Sequence, residues 1–108
     1  MKIIFDQLAA KELAEKHLIL ELDTFSINDQ SKTIYCLIDN IDFDKLHLID
    51  EFRALHQQFV EHYQQQQYQQ CQNLISQLKK YGFYDVESYY DVMTQRLEKL
   101  CQDQQLNK

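Results

Sequence analysis

The sequence has no proline, no tryptophan and a single glycine, Gly82, in 108 residues. Those absences argue against glycine-cradled phosphate loops and loop-rich folds, and favour long regular elements joined by short turns. No apolar run approaches the roughly 20 residues of a membrane-spanning helix. The opening MKIIFDQLAAKE also meets acids too early for a signal peptide, so a cytoplasmic protein without membrane attachment is expected. Basic residues are few: 11 Lys and Arg against 17 Asp and Glu leave a net charge of −6, and the footprint needed for direct DNA or RNA binding is missing. Cys36, Cys71 and Cys101 are too scattered for a disulfide framework and read as reduced, small core residues.

What is present describes a folded chain. Hydrophobic residues make up 44% and aromatics 12%, which excludes a disordered polymer. The length suits one domain, 1–108, divided into a helix plus β-hairpin over 1–40 and a helical part over 44–103. Residues 6–17, DQLAAKELAEKH, predict a short helix capped by Asp6, with Leu8, Ala9 and Leu13 on one face. The period then changes to two. Leu18, Leu20 and Leu22, then Ile34, Cys36 and Ile38, alternate on either side of the polar cluster Asn28-Asp29-Gln30-Ser31, which predicts a hairpin, with KIIF at 2–5 available as a third strand. Phe25, Ile27, Tyr35 and Leu37 are expected to point away from the leucine row. That second apolar face calls for a cover from this chain or another copy, so a homodimer is expected.

Helical spacing resumes after the turn DNIDFD. Leu48, Phe52, Leu55, Phe59 and Tyr63 predict a helix over about 44–64. Sixteen glutamines crowd the chain, yet EHYQQQQYQQCQNLISQL at 61–78 is no low-complexity tract: Tyr68, Cys71, Leu74, Ile75 and Leu78 recur at helical spacing, with glutamines on the solvent side and only Gln64 to Gln67 as a turn. Gly82 suits the helix end, Asp85 the next cap, and Val86, Tyr90, Met93, Leu97 and Leu100 or Cys101 a third buried stripe, with QDQQLNK fraying. The predicted class is α+β, an N-terminal helix and β-hairpin packed on a three-helix, mostly antiparallel C-terminal bundle.

Residues 52–81 resemble a single tetratricopeptide-like helical hairpin through Leu55, Phe59, His62, Tyr68, Cys71, Ile75 and Leu78, with bulky Phe59 where that family has a small residue. A single repeat implies no solenoid. The same half is similar to helical tails of bacterial class III adenylate cyclases through Tyr63, Tyr68, Cys71, Ile75, Asp85, Ser88, Tyr90 and Arg96, which implies scaffolding without cyclase chemistry. Across the chain, LELDTF, YCLID and DVESYY resemble small proteins of tailed phages.

Reactive constellations are sparse. His47, Asp50 and Glu51 have ligand-like helical spacing, but His56 and His62 are six apart and no C-x-x-C pair exists. Cys36 sits on a core-facing strand position, and Glu87 with Asp91 are explained by the helix start. No catalytic residue, cofactor or metal is expected. The richest segment is KKYGFYDVESYYD, where Tyr81, Phe83, Tyr84, Tyr89 and Tyr90 surround the only glycine. Packing across the turn accounts for three of these rings. Tyr84 and Tyr89 are the expected leftovers, and exposed tyrosines are enriched at binding hot spots. The protein-contact candidates are therefore Tyr81, Phe83, Tyr84 and Tyr89 at the turn, and Phe25, Ile27 and Tyr35 on the hairpin. A second candidate surface is acidic: Glu21, Asp23, Asp39, Asp42, Asp44, Asp50 and Glu51, which together could imitate phosphate spacing toward a nucleic-acid-binding protein. These readings favour a protein-interaction module, an inhibitor or adaptor, over an acidic nucleic-acid mimic and, third, a small-ligand binder or enzyme.

Overall fold

The computed structural model describes residues 2–38 and 41–106, and the chain divides into two compact units, Met1–Ile49 and Asp50–Lys108. The class is α+β: the first unit carries a three-stranded antiparallel sheet, the second is helical.

In the first unit β1 (Lys2–Ile4), α1 (Gln7–Leu13), β2 (Leu18–Ile27) and β3 (Gln30–Ile38) follow in order, and the sheet is arranged β1-β3-β2. The anticipated third strand is thus present. β2 turns into β3 through Asn28 and Asp29, both at positive φ (52° and 66°), the two-residue reversal whose twist matches a hairpin and which Asn and Asp tolerate. Leu20 faces Cys36 and Glu21 faces Tyr35, but the next pair is Asp23 with Ile34, so Leu22 is an extra residue and the strand bulges.

This bulge corrects the expected faces. A two-residue alternation slips by one where an extra residue enters, and cross-strand partners share a face. Phe25 pairs with Lys32, which alternates with Ile34 and Cys36; Phe25 therefore registers on the leucine side rather than away from it. Ile27 pairs through its backbone with Gln30, on the same side of the slip; its side chain lies outside the described residues. Tyr35 and Leu37 keep the opposite face, where Leu37 is buried and Tyr35 half-buried.

α1 is shorter than the 6–17 stretch. The Asp6 carboxylate accepts the Leu8 N–H at 3.0 Å, as the cap requires, and the helix stops at Leu13. Lying against β1 and β3, it buries Ala10 and leaves Leu8 66% exposed, so the face expected on Leu8, Ala9 and Leu13 is not the one used. A 3-10 segment, Phe43–Leu48, follows where the long helix was expected to begin, and the α-helix proper starts only at Ile49. Asp39 and Asn40 lie outside the described residues.

The helical unit is built from α2 (Ile49–Gln64), α3 (Tyr68–Lys79) and α4 (Tyr84–Leu106). Buried positions follow the helical period: Phe52, His56, Phe59 and Val60 on α2; Cys71, Ile75 and Leu78 on α3; Val86, Tyr90, Met93 and Leu97 on α4. Lys79 pairs with Asp91 and the Gln104 amide donates to the Gln66 carbonyl, so α3 runs antiparallel to α4. Phe52 with Phe83, His56 with Tyr90 and Tyr63 with Arg96 advance together, so α2 runs with α4. α4 is helical through Leu106, within the stretch expected to fray, and Gln104 reaches Gln66 at 3.0 Å; Asn107 and Lys108 lie outside the described residues.

Two left-handed residues set the helix ends. Gly82 (φ 72°) follows α3 as expected. Asp85 is not the cap: α4 begins at Tyr84, with the Val86 N–H on the Phe83 carbonyl at 3.2 Å, and Asp85 lies within its first turn. After α2 the glutamine run does the work of a glycine. Gln66 takes φ 62°, its N–H donates to Tyr63 at 3.1 Å, and the Gln67 N–H donates to His62 at 2.9 Å, which is the pair of bonds of a Schellman closure. A side chain at a left-handed position carries a steric cost that glycine lacks. Gln66→Gly should therefore raise the unfolding free energy by about 1 kcal/mol, and urea denaturation of the two proteins would measure it.

Candidate functional site

The tyrosine-rich turn resolves ring by ring. Phe83 is buried, 4.6 Å from Phe52 between centroids, so it belongs to the core and offers no contact surface. Tyr81 is half-buried, its ring 5.5 Å from that of Phe52, and its hydroxyl donates to Glu51 Oε1 at 2.7 Å. The same bond holds the Tyr81 proton and, ahead of partial burial, pushes its pKa up. Tyr90 is 1% exposed, and its hydroxyl shares a 2.7 Å hydrogen bond with His56 Nδ1. Tyr89, an expected leftover, is half-buried: its ring centroid is 5.4 Å from Tyr90, 6.1 Å from His56 and 6.4 Å from Phe59.

Tyr84 is different. It is 71% exposed at the first position of α4. Ser88 and Val92 follow at steps of four, both exposed, Val92 at 56%, so the first two turns of α4 present tyrosine, serine and valine on one side. Sequence reasoning missed Val92 because the buried stripe was read and its complement was not. Asp85, Glu87 and Asp91 surround this strip on the helix; Asp85 Oδ2 is buried without a hydrogen-bond partner, in the first turn where the helix dipole favours negative charge.

The hairpin candidates are less exposed. Phe25 is 37% exposed and Tyr35 half-buried. The acidic candidates are mostly engaged locally. Glu21 Oε1 accepts the Thr24 hydroxyl at 3.1 Å, Asp23 Oδ1 accepts the Thr24 N–H at 2.9 Å, Asp42 pairs with Lys45, Asp50 with Arg53, and Glu51 holds Tyr81. Asp44 is exposed, and Asp39 lies outside the described residues. Among the described residues no group of three His, Cys, Asp or Glu could hold a metal ion, and no helix is long and apolar enough to cross a membrane.

His56 is the residue whose placement sequence reasoning missed. It stands four after Phe52 and three before Phe59, which is the signal that would have put it on the buried face, and Phe52, Phe59, Tyr89 and Tyr90 all lie within ring-contact distance. Cys71 is also buried, its thiol donating weakly to the Phe59 carbonyl at 3.6 Å. Burial, and then the neighbouring Cys101, push its pKa up to about 11.

No protein-family model matches the chain, and comparison with curated proteins and with solved structures finds no match either. The functional reading therefore rests on the geometry above.

Two outcomes follow. Tyr90→Phe removes the hydroxyl from a buried polar pair and should cost about 1–3 kcal/mol, read by urea denaturation, with a double-mutant cycle against His56→Phe showing strong coupling. Cys71, with its folded pKa raised from 9.0 to about 11, stabilises the fold as a neutral thiol; that contribution is intact below pH 9 and is lost as the pH rises toward 11. At pH 8 a thiol reagent should label half-buried Cys101 and leave Cys71 unlabelled in the native protein, as mass spectrometry of the peptides would show.

Proposed function

We propose that this chain is a protein-interaction module, an inhibitor or adaptor, that docks the first turns of α4 into a groove of a partner protein. The observation that carries the reading is the exposed pair Tyr84 and Val92, two turns apart on one side of α4, while the other rings of the turn are drawn into the core. A large ring and a β-branched residue at helical spacing are what a helix-in-groove interface uses as anchors. The setting bears on the partner's chemistry: Glu87 lies on the same turns, while Asp91 is paired with Lys79 and Asp85 is partly buried, so the matching groove is apolar at its floor with a basic group facing Glu87 at its rim. Such rim charges speed encounter and set specificity, whereas the buried ring supplies most of the affinity. A cytoplasmic location belongs to the same proposal, and Cys36, Cys71 and Cys101, none of them in a disulfide, support it.

The test is a pull-down with the full-length tagged chain from nuclease-treated lysate of its native host, comparing the wild type with Tyr84→Ser/Val92→Ser and with Phe43→Ser as a control at another exposed ring. The expected result is a partner reduced at least tenfold in the double variant, kept by the control and held through moderate salt. A partner indifferent to the double variant but released by salt would overturn the α4 reading and favour the acidic surface.

A further inference from the structure

The sheet has two edges, and they are finished differently. β2 is one edge along its whole length. In a two-residue hairpin the closing pair, Ile27 and Gln30, is hydrogen-bonded, so alternate residues of β2 from Ile27 back turn their backbone groups to β3 and those between turn them outward. Thr24 is an outward residue, and its N–H is taken by the Asp23 carboxylate at 2.9 Å. Two residues before Thr24 lies the bulge at Leu22. A bulge and an acid side chain folded onto the edge are standard means of refusing a further strand.

Among the described residues the opposite edge shows no such bulge or folded-back acid. On β3 the outward residues are Ser31, Thr33, Tyr35 and Leu37, by the same alternation. Tyr35 faces Ile4 and Leu37 faces Lys2 in β1. Thr33 and Ser31 are the next two in phase, and no strand faces them among the described residues, because β1 ends at Ile4 and Asp6 turns the chain into α1. The space left there is a groove of about 440 Å³ lined by Phe5, Asp6, Gln7, Ser31, Lys32 and Thr33. That is within the volume range of ligand pockets, roughly 300–1,000 Å³. Its floor is a stretch of β3 that pairs with β2 on one side and faces no strand on the other among the described residues, one flank is Phe5 at 72% exposure, and exposed Lys32 has no ion pair among the described residues.

We infer that this groove takes an extended peptide segment of a partner protein, which pairs its backbone with Ser31 and Thr33 in line with β1. The occupant's chemistry follows from the lining. Unpaired N–H and C=O groups at a two-residue period call for a strand, not a helix. Residues facing each other across a strand pair share a side, so an acidic residue of the peptide falls beside Lys32, and apolar neighbours suit Phe5. The site is continuous with an existing ladder, β1 on β3, so the added strand extends pairing that the fold already makes. It is separate from the α4 strip, and either surface can fail without the other.

The experiment uses the isotope-labelled full chain and a capped seven-residue peptide of alternating threonine and valine with a central glutamate. Backbone amide shifts are followed by NMR as the peptide is added to millimolar concentration. In the free protein the amides of Ser31 and Thr33 should exchange with solvent at least tenfold faster than those of Tyr35 and Leu37. Peptide addition should shift and protect these two amides, leaving Ser88 and Val92 unmoved. N-methylation of the peptide backbone at the positions facing Ser31 and Thr33 should weaken binding at least tenfold, as should Lys32→Glu, which keeps the ladder intact. Shifts confined to β2, equal affinity for the N-methylated peptide, or no shift at millimolar peptide would each overturn the proposal. So would protection of Ser31 and Thr33 that rises with protein concentration alone, since a second copy would then be the occupant.

Discussion

The helical unit depends on one buried polar contact, the hydrogen bond between His56 and Tyr90. A histidine at 1% exposure is an expensive thing to place among phenylalanines unless its nitrogen has a partner. Tyr90 supplies one from α4 and thereby fixes which faces of α2 and α4 meet. Once that register is set, the neighbouring rings have little choice: Phe83 goes to Phe52, Tyr81 to Phe52 and Glu51, Tyr89 to His56 and Phe59. Tyr84 is one residue out of phase with Phe83 and is carried to the outside. The exposed ring is thus a consequence of the internal hydrogen bond, because helical geometry rotates each successive residue by about 100° and only some can join the cluster.

A comparable constraint works in the sheet through the backbone alone. The extra residue at Leu22 is a local event, yet it decides the face of everything between it and the turn. Phe25 is brought to the side of Leu20 and Cys36, and Glu21, Thr24 and Thr33 are placed together on the other, where the two threonine hydroxyls lie 3.0 Å apart and the Thr24 hydroxyl reaches Glu21. A polar cluster therefore occupies the part of that face nearest the turn, while Leu37 is buried farther along it. This relieves much of the doubly apolar character that a bulge-free hairpin would have.

How much of this was legible depends on whether a feature is periodic. The hairpin, the third strand at KIIF, the glutamine-rich helix and the stripe of Val86, Tyr90, Met93 and Leu97 all follow from residues repeating at two or at three and four, and each is present. The bulge at Leu22 breaks a period, so an unbroken alternation misassigned Phe25. Asp85 looked like a cap because its type is right, but the helix starts one residue earlier, a shift that composition does not encode. His56 was weighed only against His62 as a metal ligand, and Leu55 was put on the stripe in its place; the structure buries His56 and leaves Leu55 half-buried. Tyr84 was legible as an outsider and Tyr89 was not, since its three ring neighbours come from two helices and depend on how α2 meets α4.

The absence of proline bears on the sheet as well as on the helices. Proline is a common way to blunt a strand edge, because it offers no N–H to a newcomer. A chain without it must use other means. On β2 those means are visible, the bulge and the Asp23 side chain folded onto the Thr24 N–H. On the far side of β3 the covering strand is only three residues long and gives way to a helix held by Asp6. Edges invite pairing by default, and among the described residues the part of β3 beyond Ile4 of β1 is the stretch where neither a covering strand nor a bulge limits it, which is the physical basis of the peptide-binding proposal.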